Sequence, residues 1–402
     1  MNVRATRFPL FDSLRAIAAL CVFATHAYFA FDTNPNAPLR AYFVRLDVGV
    51  SIFFAISGFL LYRPFVRARL EGNRSPRIVA YLWRRLLRIG PPYWVALTVI
   101  TLWLSLPEVL NVSNAPYYYG FGQIYNGTIA IGGLAQAWSL GVEASFYIFL
   151  PLYALAMASL RIADERSRYR AELWGIAVLY VFSTAWNWFA AAIHTNTDFH
   201  KPPLHLMLPG YLNSFALGML LAVLSVWYAK RELPGWMRAV DRYPVLPWLV
   251  AAAAFVVVSK GIGLNGGPTE HVSTLQYVLR FALYSVVGGA MIAPAVIGDQ
   301  TQGLVRRLLA NRALLFLGIV SYSFFLYHLA VILQLERWHV DRWVAVPLAL
   351  GGSVAIAVVS YYLIERPFMS LKRLVSTGSD PGTLEAIAEP TPVAAPEVAR
   401  SG

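Results

Sequence analysis

Cysteine occurs once in 402 residues, so neither a disulfide scaffold nor a thiolate metal cluster can be built from this chain. Charge is nearly as scarce. Lysine, arginine, aspartate and glutamate together make up 13% of the residues, where a soluble domain carries about 25%. With 58% hydrophobic residues and a mean hydropathy of +0.54, a soluble globular fold is excluded. Disorder is excluded for the same reason: a chain this apolar buries its surface, and the only solvent large enough is a bilayer. Length alone favours two or three soluble domains, and composition overrides that prior.

The net charge of +12 and pI of 9.8 invite a nucleic-acid reading. The distribution of the charge argues against it, because the basic residues sit in short blocks between apolar runs about 20 residues long. Ten candidate spans fall near 12–31, 47–66, 90–107, 136–160, 172–193, 209–229, 244–259, 274–297, 313–335 and 343–365, the seventh short and interrupted by Pro247. The fold class is therefore an all-α, polytopic membrane bundle of about ten transmembrane helices. An even count puts both termini on one side. That side's segments hold 26 lysines and arginines, against six on the other and Arg280 within the eighth span, so both termini are expected in the cytoplasm of a multi-pass protein of the plasma or inner membrane. The first span retains Arg15 and His26 and has no small-residue cleavage site, so no cleavable signal peptide is expected. Residues 1–370 form the membrane domain. Residues 371–402, rich in proline, alanine, serine and glutamate, read as a disordered cytoplasmic tail.

Titratable groups inside apolar spans cost at least a few kcal/mol each and are functional candidates by default. Arg15 and His26 are eleven positions apart, which puts both on one helix face, separated by roughly 17 Å along the axis. Arg15 marks the cytoplasmic end and His26 the outer half. Glu143 lies about two turns into a span that enters from outside, and His328 lies seven residues from the outer end of its own span. Three groups from three spans thus share a depth, and a histidine with a carboxylate is the minimum equipment for general-base chemistry on a hydroxyl. Plainer readings stay open: Arg15 snorkelling to headgroups, His26 bonded to helix backbone, Glu143 as an interfacial carboxylate. Arg85 and Arg88, three apart in the most basic segment, suit bidentate phosphate binding if helical, although topology alone also explains them. In Asp47-Val-Gly-Val-Ser-Ile-Phe-Phe-Ala-Ile-Ser-Gly-Phe59, the small residues Gly49, Ser51, Ser57 and Gly58 permit close helix packing. His194, His200 and His205 share one outward loop without helical spacing, so no metal site is expected. The tyrosine-rich loop 116–126 reads as interface anchoring before sugar stacking.

Six features in order resemble the acyltransferase 3 family: Arg15-x10-His26, the Asp47-to-Phe59 segment, Arg84-Arg-Leu-Leu-Arg-Ile-Gly-Pro91, Trp138-Ser-Leu-Gly-Val-Glu143, Ser321-Tyr-Ser-x4-His328 and Ile364-Glu-Arg-Pro-Phe368. The resemblance covers about residues 8 to 370. It implies an integral-membrane O-acyltransferase that takes an acyl group, commonly acetyl, from cytoplasmic acyl-CoA and delivers it to a hydroxyl of an extracytoplasmic surface glycan or lipid-linked acceptor, with no resident cofactor. It assigns His26 as the catalytic histidine, Arg15 as its motif partner, Arg85 and Arg88 as the pair that holds CoA, and Glu143 as the acidic residue. Asp47, Ser57 and His328 are supporting candidates. Many members follow that acid with a second where this chain has Ala144, which puts any role for paired carboxylates in doubt. Some members append a soluble esterase-like domain and a further span, which a chain of this length is expected to lack.

The mechanism expected from these residues has the arginines at the CoA phosphates, the pantetheine arm running inward, and His26, oriented by Glu143 through its other ring nitrogen, taking the acceptor's proton. Direct transfer and a covalent acyl-histidine are not separated by sequence. The competing classes are a polytopic lipid or solute transporter, against which no inverted internal repeat is evident, and O-acylation of a small molecule such as a macrolide.

Overall fold

The computed structural model describes residues 8–32, 34, 36–193, 203–263 and 272–374. All regular structure among them is helical. His194, His200 and residues 375–402 of the expected tail lie outside the described residues. The principal helices are α1 (Leu10–Phe31), α2 (Gly49–Glu71), α3 (Ile78–Leu104), α4 (Trp138–Ser159), α5 (Glu165–Ile193), α6 (Leu208–Trp227), α7 (Val245–Val256), α8 (Thr274–Ile292), α9 (Arg312–Ile319), α10 (Ser321–Arg337) and α11 (Arg342–Ser360).

Eight segments are long and apolar enough to cross a bilayer, or up to ten if two bent pairs each count as one span. In the first pair, Gly235–Arg242 meets Val245–Gly261 at 93°, and in the second, α9 meets α10 at 76°. The hydrophobic run 313–335, which reads as one straight span, is therefore two helices. Two contacts explain the break. Gly318, having no Cβ, lets α9 rest its backbone against the Asp12 carbonyl of α1, and the Ser321 hydroxyl donates to the Gly318 carbonyl (2.7 Å) at the corner.

A second difference concerns α3. The Gly-Pro-Pro stretch at 90–92 sets the expected start of the third span, yet the helix begins at Ile78 and runs through both prolines. Two backbone hydrogen bonds are forfeited there, and the Tyr322 hydroxyl adds one to the Ile89 carbonyl (2.7 Å). The consequence is that Arg85 and Arg88 sit on a continuous helix.

Helix α2 is the hub of the bundle. Gly58 abuts the Phe215 carbonyl of α6 and Gly218 of α6 abuts the Ala55 carbonyl of α2, so each backbone fills the space the other's missing Cβ leaves. Phe54, Phe215 and Phe146 stack in a column through α2, α6 and α4, with ring centroids 4.6 and 3.9 Å apart. Near the basic end, Glu172 of α5, wholly buried, takes a 2.5 Å ion pair from Arg69 and a hydrogen bond from Tyr62. The outer face of α5 instead exposes Trp174, Val178, Val181 and Phe189, a surface that only hydrocarbon solvates.

Between α3 and α4 the chain forms a folded cap. Tyr93 donates to the Tyr118 carbonyl (2.8 Å), Trp94 to that of Tyr119 (2.8 Å), and Tyr118 is buried. Much of the tyrosine-rich loop is thus packing for α3. At its end, the buried amide of Gln136 donates to the Leu326 carbonyl (2.8 Å) of α10.

Candidate active site

Helices α1, α2, α3, α4 and α10 converge on a cavity of about 740 Å³, mouth included. Arg15, Arg85 and Arg88 line it together with Ser57, Ser139, Glu143, Tyr147 and Tyr322, and Phe53 and Phe325 close one wall. Arg15 is held by Asp12 one turn earlier (2.6 Å). Glu143 accepts from the Ser57 hydroxyl (2.6 Å). Glu365, almost wholly buried in the π turn that follows α11, accepts from Ser323 (3.2 Å). Three guanidinium groups aimed into one low-dielectric space suit a polyanion. Arg15 of the first span is therefore brought together with Arg85 and Arg88, which sequence placed in the basic segment ahead of the third span, and α3's continuity explains why those two face the same way.

His26, His328 and Asp47 do not line that cavity. His26 Nδ1 and His328 Nε2 are 2.8 Å apart, with the rings stacked at 5.0 Å between centroids. His328 is fully buried, and its Nδ1 lies 2.8 Å from the Phe325 carbonyl and 3.3 Å from that of Phe324. These contacts fix both tautomers. A carbonyl only accepts, so His328 Nδ1 carries the hydrogen; its Nε2 then accepts, and His26 Nδ1–H must donate to it. His26 Nε2 is left as a bare lone pair with no hydrogen bond among the described residues, on a ring only partly buried. That is the configuration of a general base.

The expected orienting partner of His26 is corrected by this geometry. Glu143 is engaged with Ser57 on the cavity wall, and His328 occupies the nitrogen assigned to the carboxylate. Shared depth put the three groups at one level, but the azimuth of each helix decides which faces which, and α10, not α4, turns its titratable group to His26. Phe325 joins the two halves of the site. Its ring lines the cavity, packs edge-on against Phe53 (6.0 Å) and lies 5.8 Å from the His328 ring, while its carbonyl holds His328.

Asp47, in the 3-10 turn Leu46–Val48 packed on α1, makes a 2.6 Å ion pair with Arg280 of α8 and accepts from the Tyr284 hydroxyl. Sequence reading missed three contributors. Glu365 was detectable as a carboxylate ending an apolar run. Tyr322 and Phe325 carried no signal beyond sharing a motif with His328.

Taken together, the bundle and its site define a membrane-embedded enzyme with an arginine-lined cavity beside a hydrogen-bonded imidazole pair. The family profile described as an acyltransferase domain, Acyl_transf_3, matches residues 9–363, and the chain belongs to that family. It is similar to proteins of Staphylococcus aureus provisionally named O-acetyltransferase, with 24% identity over 384 residues, 90% of this chain and 57% of theirs. The chain thus spans little more than half the length of those relatives. It is also similar to nodulation protein 10 of Rhizobium leguminosarum bv. viciae, at 27% identity covering 90% of this chain and 93% of the relative, and to acyltransferase MdmB of Streptomyces mycarofaciens, at 26% covering 96% and 98%. No solved structure matches the chain.

Proposed function

We propose that this chain is a membrane O-acyltransferase that moves an acyl group, acetyl in the simplest case, from acyl-CoA entering at the cytoplasmic, arginine-lined end to a hydroxyl of an acceptor on the opposite face, a surface glycan or lipid-linked sugar. The observation that carries the proposal is the hydrogen-bonded series from the Phe325 carbonyl through His328 to His26, which leaves one imidazole nitrogen bare roughly 8 Å from the end of α1 opposite Arg15.

Arg15, Arg85 and Arg88 bind the CoA phosphates. The pantetheine arm follows the cavity wall past Phe53 and Phe325 to His26. His26 Nε2 takes the proton from the acceptor hydroxyl as its oxygen attacks the thioester carbonyl carbon; the carbon–sulfur bond then breaks, and the imidazolium returns the proton to the departing thiolate. Atoms balance as acyl ester plus CoA thiol. His328 keeps His26 in the tautomer that accepts at Nε2. Glu143 and Ser57 line the donor route and order the cavity wall.

The test uses membranes carrying the full chain and acetyl-CoA labelled in the acetyl group. Wild type should place label on envelope glycan, and His26→Ala should insert normally and place none. Full labelling by His26→Ala would remove the imidazole from the mechanism. Label on a secreted small molecule in place of glycan would redirect the acceptor, and solute efflux with no acylated product would favour the transporter reading.

A further inference from the structure

One end of the bundle carries a helix that neither the cavity nor the histidine pair uses. Gly235–Arg242 meets Val245–Gly261 at 93°, so where the second segment crosses the bilayer the first lies along its surface. Two ties place it at the end where α1 begins and α2 finishes. Lys230, just ahead of the helix, pairs with Glu71 at the end of α2 (3.7 Å). Asp241 is held by Arg306 of the helix Leu304–Leu309, whose last carbonyl accepts from Ser13 of α1, two residues from Arg15.

The helical period divides the residues into three faces. Met237, Val240, Asp241 and Pro244 turn to the protein: Met237 is buried, Val240 packs on the core, and Asp241 takes the Arg306 guanidinium (3.4 Å) and the Asp299 amide (2.9 Å). Arg238 and Arg242, four apart, share a second face, and both are exposed. Trp236 and Tyr243, seven apart, share a third, about 130° round from the arginines, with 52% and 50% of their surface open. The open apolar surface continues along α7 through Val245, Leu246, Leu249 and Val250, which only hydrocarbon solvates. One face on protein, one aromatic and one basic is the pattern of a helix lying in the headgroup layer. Its only acid is Asp241, already taken by Arg306, and among the described residues neither Arg238 nor Arg242 pairs with a carboxylate.

We propose that Gly235–Arg242 is a binding site for an anionic phospholipid, with Arg238 and Arg242 on its phosphate and Trp236 and Tyr243 at the glycerol level beneath. The Arg242 guanidinium lies 5.4 Å from the Tyr243 ring centroid, so the two kinds of contact meet at the corner where the helix turns into the span. Charge chooses the lipid. Two guanidinium groups without a counter-charge attract a headgroup of net negative charge, whereas phosphocholine brings a cation of its own and cancels the gain. A free phosphate would satisfy the arginines but makes no use of the aromatic face or of the apolar surface that continues from it.

The test titrates phosphatidylglycerol, phosphatidylcholine and inorganic phosphate into the full chain in neutral detergent and counts retained lipid by native mass spectrometry. Acyl transfer plays no part in the measurement. Wild type should retain phosphatidylglycerol about tenfold more tightly than phosphatidylcholine. Arg238→Gln with Arg242→Gln should abolish that preference, Arg238→Lys with Arg242→Lys should keep most of it, and Trp236→Ala should weaken both lipids alike. Arg166→Gln with Arg170→Gln, which removes another exposed pair four apart from α5, should leave the preference in place. Equal retention of the two lipids by wild type, an undiminished preference without Arg238 and Arg242, or the same loss without Arg166 and Arg170 would overturn the site. Displacement of the lipid by an equal concentration of inorganic phosphate would overturn it as well, leaving a phosphate site in its place.

Discussion

At the residue scale the decisive contact is the 2.8 Å approach of His26 to His328. An imidazole that both donates to and accepts from water switches tautomer freely. Here the backbone carbonyl of Phe325 removes that freedom, and its effect passes through His328 to His26. Replacing His328 by alanine should therefore lower kcat by about 10²-fold or more with the KM for acetyl-CoA unchanged. His328→Gln, whose amide oxygen can accept from His26 Nδ1–H, should recover part of the loss. Equal damage from both variants would show that His328 only packs. The double variant Arg85→Gln with Arg88→Gln should weaken acetyl-CoA binding and flatten its dependence on salt, read by titration at several ionic strengths; unchanged binding would return both residues to topology alone. The titratable groups themselves were legible from sequence, because an arginine, histidine or glutamate in an apolar run stands out against the cost of putting it there. Their pairing was not. Helical spacing relates Arg15 to His26 within one helix, but nothing in the spacing says that His328 faces His26 while Glu143 faces Ser57.

At the scale of elements, two irregularities shape the site: α3 continuing through Pro91 and Pro92, and the corner between α9 and α10. The corner directs α10 so that Ser321, Tyr322 and Phe325 reach the cavity while His328 meets α1. Neither was legible in hydropathy, which reports whether a stretch is apolar and not whether its axis turns. Glycine packing was partly legible. Gly58 reads as a small residue in a span, but that it rests on the Phe215 carbonyl of α6 is a tertiary fact. A side chain there would force α2 from α6, so Gly58→Val should cost about 1–3 kcal/mol or more of packing. It should lower the thermal midpoint of the purified protein by several degrees; an unchanged midpoint would contradict the contact. Phe325→Trp should leave acetyl-CoA binding intact and cut transfer sharply, since the ring stands between the cavity and the histidine pair. Undiminished transfer would mean that the thioester takes another route.

For the whole molecule, composition and the distribution of lysine and arginine were enough to give an all-helical bundle and an expected orientation, because both follow from a solvent that rejects unpaired backbone and charge. Orientation is tested with cysteines introduced into a Cys21→Ser background. Asn111→Cys, exposed in the cap between α3 and α4, should react with an impermeant maleimide in intact cells, and Arg74→Cys, exposed in the turn between α2 and α3, only after permeabilisation; the reverse pattern would invert the topology. In the proposed function, donor and acceptor enter from opposite faces and meet at His26. The most direct measurement of that division uses proteoliposomes of uniform orientation, with acetyl-CoA confined to the side of the arginine cavity and methyl glucoside to the other. The expected result is free CoA on the first side and acetylated glucoside on the second, both lost in His26→Ala; product formed on the acetyl-CoA side, or unaffected by loss of the imidazole, would contradict it.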